Sequence, residues 1–261
     1  MHITITGNLG SGKSTVARLL SEKYNFEVYS TGKIQRELAR QMNLSTLELN
    51  QLMMSDRKYD HMIDDETARI SRENKDKNII FDSRLAWHFV EHSFKVFVSV
   101  SLDVAAERIM NDQRGAVEKY SSVEEAKRLI AERAKTESIR YKDIYNLNYM
   151  DFSNYDLIID STFCDPETIA DIIMEEAKAY YESPQYISKM LVSPKRLMFD
   201  NYMDEKEDNN PEDVLNSDDF KNQSIKVIQQ DDKYKVIENQ KYAKAALNSG
   251  TCFVQIEIVN D

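Results

Sequence analysis

The chain opens on an alternation. In HITIT, Ile3 and Ile5 are set against Thr4 and Thr6, and a period of two marks a strand. A Gly-rich stretch follows, and VARLLSEKY then spaces its apolar residues at i, i+3 and i+4, which predicts strand, loop and helix in that order. A second short strand is predicted at FEVYS, residues 26–30, with helical patterns over 32–75 that include TGKIQRELARQM and LSTLELNQLMM. Three further runs, NIIFDS at 78–83, KVFVSVSL at 95–102 and DLIIDST at 156–162, are dense in Ile, Val and Phe, as strands become when helices cover both faces. Strands separated by helices in this way predict an α/β fold with a five-stranded parallel sheet and right-handed crossovers. A helix at 165–183 closes the unit, with Asp165 as its N-cap and Pro166 in the first helical position.

Beyond Ser183 the texture changes. Between 204 and 219, eight acidic residues stand against one Lys, the pattern of a solvated loop or linker. From 223 onward, QSIKVIQQDDKYKVIENQ predicts two strands joined at Asp231 and Asp232, KYAKAALNSG a helix ended by Gly250, and CFVQIEIV a last strand. The expected organisation is an α/β unit over 1–183, an acidic linker region over 184–222 and a small α+β domain over 223–261.

Composition narrows the class. With 41% hydrophobic and 30% charged residues, the chain is neither disordered nor collagen-like. Lys plus Arg total 34 against 45 Asp plus Glu, a net charge of -11, which argues against nucleic acid or an anionic membrane as a partner. No apolar run reaches membrane-spanning length and no basic leader precedes the first apolar stretch, so a cytoplasmic protein is expected. Cys164 and Cys252 are the only cysteines, too few for a disulfide framework, and are expected as buried or idle thiols in a reducing interior. The four His, at 2, 61, 88 and 92, show no metal-ligand spacing.

The Gly-rich stretch GNLGSGKS fits the spacing G-x-x-x-x-G-K-S/T with Gly7, Gly12, Lys13 and Ser14 in register, and it lies between a predicted strand and helix, as a P-loop requires. In such a loop, backbone N–H groups turn inward around a β-phosphate at the positive end of the following helix. Gly7, Gly10, Ser11, Gly12, Lys13, Ser14 and Thr15 are therefore the candidate ATP-binding residues. Lys13 would reach the β and γ oxygens, and Ser14 could ligate Mg²⁺. A second acidic group is expected near the metal, and Asp82, ending NIIFD, is the candidate, directly or through a water.

A P-loop alone does not separate a small-molecule kinase from a GTPase or a motor. No N-K-x-D run occurs, and Arg36, Arg84, Arg114, Arg128, Arg133 and Arg140 recur after strands and in a predicted helical lid. Transfer between two phosphorylated partners gathers negative charge that guanidinium groups can hold. Arg133 and Arg140 are seven apart, so on a helix they point the same way. The alternative for that pair is an exposed helix with Glu132 and Glu137 as ion-pair partners.

In order and texture, GNLGSGKST, YSTGKIQRELA, IIFDSRLAW and AERAKTESIRYKDIYNLN resemble the cytidylate kinase family, most of all its compact archaeal-type branch, over residues 1–182. The resemblance implies a P-loop kinase fold with a helical lid. It assigns Thr31 and Arg36 to the acceptor phosphate, Arg84 of the Asp82-Ser83-Arg84 element to the nucleoside monophosphate, and Arg133 and Arg140, with Lys13, to catalysis. The activity implied is ATP- and Mg²⁺-dependent phosphoryl transfer to a nucleoside monophosphate, CMP or dCMP. The segment 113–125 does not align with the family, and no pyrimidine-reading triad is identifiable. Residues 223–259 weakly resemble part of the ParB and sulfiredoxin-like fold. Glu238, Asn239, Gln240, Lys241 and Tyr242 stand where a G-H-x-R motif would be, which implies a lost site and a role in partner binding or self-association. Two alternatives remain open: a kinase for a non-nucleotide acceptor, and a nucleotide-dependent regulator signalling through its C-terminal part.

Overall fold

The opening alternation forms β1 (His2–Gly7), and this strand is the middle of a parallel array. The computed structural model describes residues 1–111, 120–199, 214–215 and 224–259. After β1 come α1 (Lys13–Tyr24), β2 (Glu27–Ser30), α2 (Thr31–Gln41), α3 (Thr46–Ser55), α4 (Lys58–Glu73), β3 (Ile79–Asp82), the short α5 (Ala86–Phe89), β4 (Phe94–Ser99), α6 (Leu102–Asn111), α7 (Val123–Tyr145), β5 (Leu157–Asp160) and α8 (Pro166–Glu182). The five predicted strands stand in the order β2-β3-β1-β4-β5, each parallel to its neighbours.

Strand periodicity sorts the core into two layers. Ile3, Ile5, Val96, Val98, Leu157 and Ile159 face one side, where α1 and α8 supply Val16, Leu20, Ile169 and Ile173. Phe97 and Ile158 face the other side and pack with Trp87, Tyr141, Tyr149 and Tyr155. Thr6, on the opposite face from Ile5, donates from Oγ1 to the Ser83 carbonyl at 3.0 Å and ties β1 to the turn after β3. The Asp165 cap and Pro166 start of α8 stand as expected, with the Asp165 carboxylate accepting from Thr168 N at 2.8 Å.

The stretch expected as linker contains a strand. In β6 (Lys189–Val192), residues Lys189, Met190 and Leu191 lie opposite Leu157, Ile158 and Ile159 as a sixth parallel strand. Only four residues alternate, with Met190 and Val192 buried, too short a run for periodicity to mark a strand. Then come a 3₁₀ turn at Pro194–Arg196, β7 (Leu197–Met198), β8 (Ile225–Gln230), β9 (Lys233–Val236), α9 (Gln240–Ser249) and β10 (Val254–Ile258). Gly250 ends α9 in the left-handed region with φ 74°. Because β10 pairs antiparallel with β6, the sheet continues as β5-β6-β10-β8-β9-β7. Ile225, Val227, Tyr234, Val236 and Ile256 enter the same core cluster as Phe97 and Trp87. The C-terminal part thus continues the sheet instead of hanging from a tether. The acidic run lies outside the described residues except for Val214 and Leu215, and Leu215 packs on that core.

Candidate active site

The P-loop follows β1 and is fastened to β4: Asn8 N donates to the Val98 carbonyl at 3.2 Å, and Asn8 Oδ1 accepts from Val100 N at 3.2 Å. Two glycines are required by close approach. A Cβ on Gly7 (φ 146°) would lie 2.0 Å from the Val98 carbonyl oxygen, and one on Gly10 (φ 76°) 2.7 Å from that of Ala105. Both φ values also lie where a side chain is strained. The Lys13 ammonium donates to the Gly7 and Asn8 carbonyls at 3.0 and 2.6 Å, at the mouth of the loop. The residues from Gly10 to Thr15 line a cavity of about 400 Å³; Gly7 lies behind them, its carbonyl held by Lys13 and Arg84.

On the β2–β3 flank the same cavity is lined by Thr31, Gly32, Arg36, Asp82 and Arg84. Asp82 Oδ2 accepts from Ser14 Oγ at 3.0 Å and from Ser30 Oγ at 2.9 Å. Ser14 stands in the first turn of α1 and Asp82 ends β3, so the two meet because β1 and β3 are neighbours in register. Among the described residues no group of three or more His, Cys, Asp or Glu is gathered that could hold a metal. One hydroxyl and one carboxylate suit Mg²⁺, which keeps waters and takes substrate phosphate oxygens as its remaining ligands. The sequence-predicted pair therefore fits that ion.

Arg84 and Arg133 converge on one carboxylate. Glu137 of α7, 2% exposed, accepts from Arg84 Nε at 2.9 Å and Arg133 Nε at 3.0 Å. Burial pushes its pKa up, but Arg84, Arg133 and Arg140 outweigh burial and hold it at about 2. Burial likewise opposes the charge of Arg84, and Glu137 together with Tyr149 and Tyr141 more than offsets it, leaving that pKa above the ordinary Arg value. Arg133 also donates to Thr46 Oγ1 at 3.2 Å, which ties α7 to α3. Arg133 and Glu137 both line the cavity.

Arg140 is elsewhere. At 2% exposed it donates to Asn50 Oδ1 at 2.6 Å, and its Nε lies 3.4 Å from Asp60 Oδ1, an ion-pair distance without a hydrogen bond. Burial raises the Asp60 pKa despite that neighbour. Seven residues separate Arg140 from Arg133 by two turns, roughly 10 Å of helix, so a shared direction does not bring both to one cavity. Arg140 packs α7 against α3 and α4 instead of lining the cleft. Arg128 is on the exposed side of α7, paired with Glu132, and Arg114 lies outside the described residues.

The sequence reading missed three cavity residues on the β5 flank. Arg108 of α6 donates to Ser161 Oγ at 3.0 Å and to its carbonyl at 2.6 Å. Arg108, Ser161 and Cys164 line the far end of the same cavity with Pro166 and Ile169. Burial lowers the Arg108 pKa, with Asp160 opposing. Nothing in the local pattern around Arg108 distinguishes it from any helix-surface arginine. Glu137 showed only as an i, i+4 partner of Arg133, a spacing common on solvated helices. Cys164 and Cys252, distant in sequence, have adjoining side chains, and burial pushes the Cys164 thiol up to about 12.

The cavity therefore has two arms meeting at the P-loop, one towards β2 and β3 and one towards β5. Lys13, Arg36, Arg84, Arg108 and Arg133 border it against Asp82 and Glu137, an excess of cations suited to polyanions. Among the described residues no helix is long and apolar enough to cross a membrane.

Comparison with known proteins places this arrangement. A cytidylate kinase from Methanobrevibacter smithii is 36% identical over 178 residues, covering 68% of this chain and 99% of that one. A cytidylate kinase from Natronomonas pharaonis is 37% identical over 182 residues, 69% of this chain and 91% of that one. Among solved structures, a shikimate kinase from Acinetobacter baumannii in complex with shikimate matches with a TM-score of 0.43 at 13% identity, over 70% of this chain and 95% of that one. The family model described as cytidylate kinase-like matches residues 2–162. With its P-loop, its arginine-lined cleft and these relatives, the chain is a nucleotide-binding phosphotransferase and belongs to the cytidylate kinase-like family.

Proposed function

We propose that the protein transfers a phosphoryl group from ATP to a nucleoside monophosphate, with CMP or dCMP as the acceptor. The observation that carries this reading is the two-armed cavity: a P-loop at the centre, Thr31, Arg36 and Arg84 on one arm and Arg108 and Ser161 on the other. A donor and an acceptor that are both phosphorylated need two such arms and one shared point of transfer.

The donor phosphates lie on the P-loop, with the nucleoside towards Arg108, Ser161 and Cys164. Ser14 and Asp82 would hold Mg²⁺, which when bound would supply charge neutralisation for the donor phosphates. Lys13 swings from the loop carbonyls to those oxygens. Thr31, Arg36 and Arg84 receive the acceptor phosphate, and Arg133 faces the moving group. Glu137 aims Arg84 and Arg133 from a buried position, so neither guanidinium has to reorganise during transfer. Helix α7, carrying Arg133, shuts water out and suppresses hydrolysis of the donor. A cytosine acceptor is supported by the relatives named cytidylate kinase.

A coupled assay of ADP release over the common nucleoside monophosphates tests the reading. Turnover with CMP or dCMP is expected. Arg36→Ala should raise the acceptor KM, whereas unchanged acceptor affinity would favour a non-nucleotide acceptor.

A further inference from the structure

The nucleoside arm of the cavity is built partly by residues beyond the matched span of 2–162. Arg196 follows β6, is 5% exposed and sits between two carboxylates. Its Nη1 donates to Asp160 Oδ1 at 3.0 Å, its Nη2 to Asp232 Oδ1 at 3.0 Å, and its Nε to the Asp232 carbonyl at 3.1 Å. The guanidinium also stacks 5.1 Å from the Tyr234 ring centre.

Each carboxylate leads to an element of the cavity. Asp160, fully buried at the end of β5, accepts from Thr162 N and Oγ1 at 3.2 and 2.6 Å and from Ser193 N at 3.3 Å. Those bonds fold the turn that presents Ser161, the residue Arg108 grips. Asp232, in the β8–β9 turn, accepts from Leu102 N at 3.1 Å, and Leu102 is the first residue of α6, the helix that carries Arg108. One guanidinium therefore connects the turn and the helix whose side chains meet at the cavity wall. A second contact reaches the same wall: Phe253, just before β10, packs on the cluster holding Cys164 and Ile169.

We propose that Arg196 is a positioning residue for the donor nucleotide, holding Ser161 through Asp160 and Arg108 through Asp232. The C-terminal part thereby acts on donor affinity without touching the donor. This inference rests on reading the β5 arm as the donor's nucleoside end. A buried guanidinium with two planar partners holds both in fixed orientation, which an apolar contact would not do. A mere docking contact would have no need to end on these two elements.

The test uses the full chain with Arg196→Lys and Asp232→Ala, measuring ATP binding by calorimetry, steady-state constants for ATP and for CMP, and thermal melting. Lys keeps the charge but cannot span both carboxylates, and Asp232 is half-exposed, so its loss leaves the Arg196–Asp160 pair buried and intact. The expected result is an ATP KM and Kd raised about tenfold in Arg196→Lys and less in Asp232→Ala. CMP KM and kcat should stay within about twofold, with folded protein in both cases. Unchanged ATP constants in both variants would overturn the inference. So would ATP KM, CMP KM and kcat all worsening together with the melting temperature, the mark of a purely structural role. If the unaltered protein bound no ATP, the donor reading itself would fall and the inference with it; binding by the unaltered protein with indifferent variants would overturn the inference alone.

Discussion

Lys13→Ala removes the ammonium that the loop holds beside the Gly7 and Asn8 carbonyls, and turnover should fall by about 10²-fold or more with the fold intact. Arg140→Ala should do the reverse. It breaks a buried pair with Asp60 and a bond to Asn50, so it should cost about 3–5 kcal/mol of stability. Denaturant melts beside initial rates on the remaining folded protein distinguish the two effects. The same region predicts a pH dependence. Asp64 accepts from Tyr145 Oη at 2.7 Å, and burial, with Asp60 and Asp65 adding to it and Arg140 opposing, raises its pKa from 3.8 to about 7. The unfolded chain gives up this proton near 3.8 while the folded chain keeps it until about 7, so stability from this group declines across that window as pH rises and then levels. Asp64→Asn, which still accepts from Tyr145, should melt at nearly the same temperature at pH 5 and at pH 8, relative to a parent protein that loses stability over that interval.

At the scale of elements, the loop and α6 are built against each other. A Cβ on Gly10 would meet the Ala105 carbonyl oxygen and Cα at 2.7 and 2.8 Å, backbone atoms that cannot step aside. Gly10→Ala should therefore weaken nucleotide binding at least about tenfold, read by calorimetry. Gly12→Ala meets nothing within 4 Å, so only its left-handed φ of 81° is strained, and the loss should be smaller. What was legible in the sequence follows from the same physics. Strands β3, β4 and β5 were visible because both faces are covered, which makes their cores, such as IIF in β3, continuous apolar runs, whereas β1 showed by its Ile/Thr alternation and β2, half-exposed, only as a short run after the first helix. The P-loop was visible because its geometry needs particular residues at fixed offsets. Arg36, Arg84 and Arg133 do line the cleft, whereas Arg140 shows the limit of helical periodicity: it gives a direction around the axis, not a place along it. Arg108 and Ser161 meet only through the tertiary fold, from α6 and the end of β5, and no local spacing announces such a contact.

At the scale of the molecule, the C-terminal part is a continuation of the sheet. Removing everything after Ser183 would strip β6 from the edge of β5 and uncover Phe97, Trp87 and Ile158, which pack in one cluster with Val192, Ile225, Val227 and Val254. The truncated chain should lose solubility and its cooperative melt; an independent tail would leave both intact. An unpaired apolar edge of this kind invites association. The acidic balance of the chain, a net -11, contrasts with the cationic lining of its cleft, so the site stands out as a positive cavity in a negative body. Whether this cavity joins two phosphorylated substrates is measured by ADP release from the full chain with ATP and Mg²⁺ against a panel of nucleoside monophosphates. Release should depend on the monophosphate and be fastest with CMP or dCMP; no release above background with any of them would contradict a two-substrate cavity.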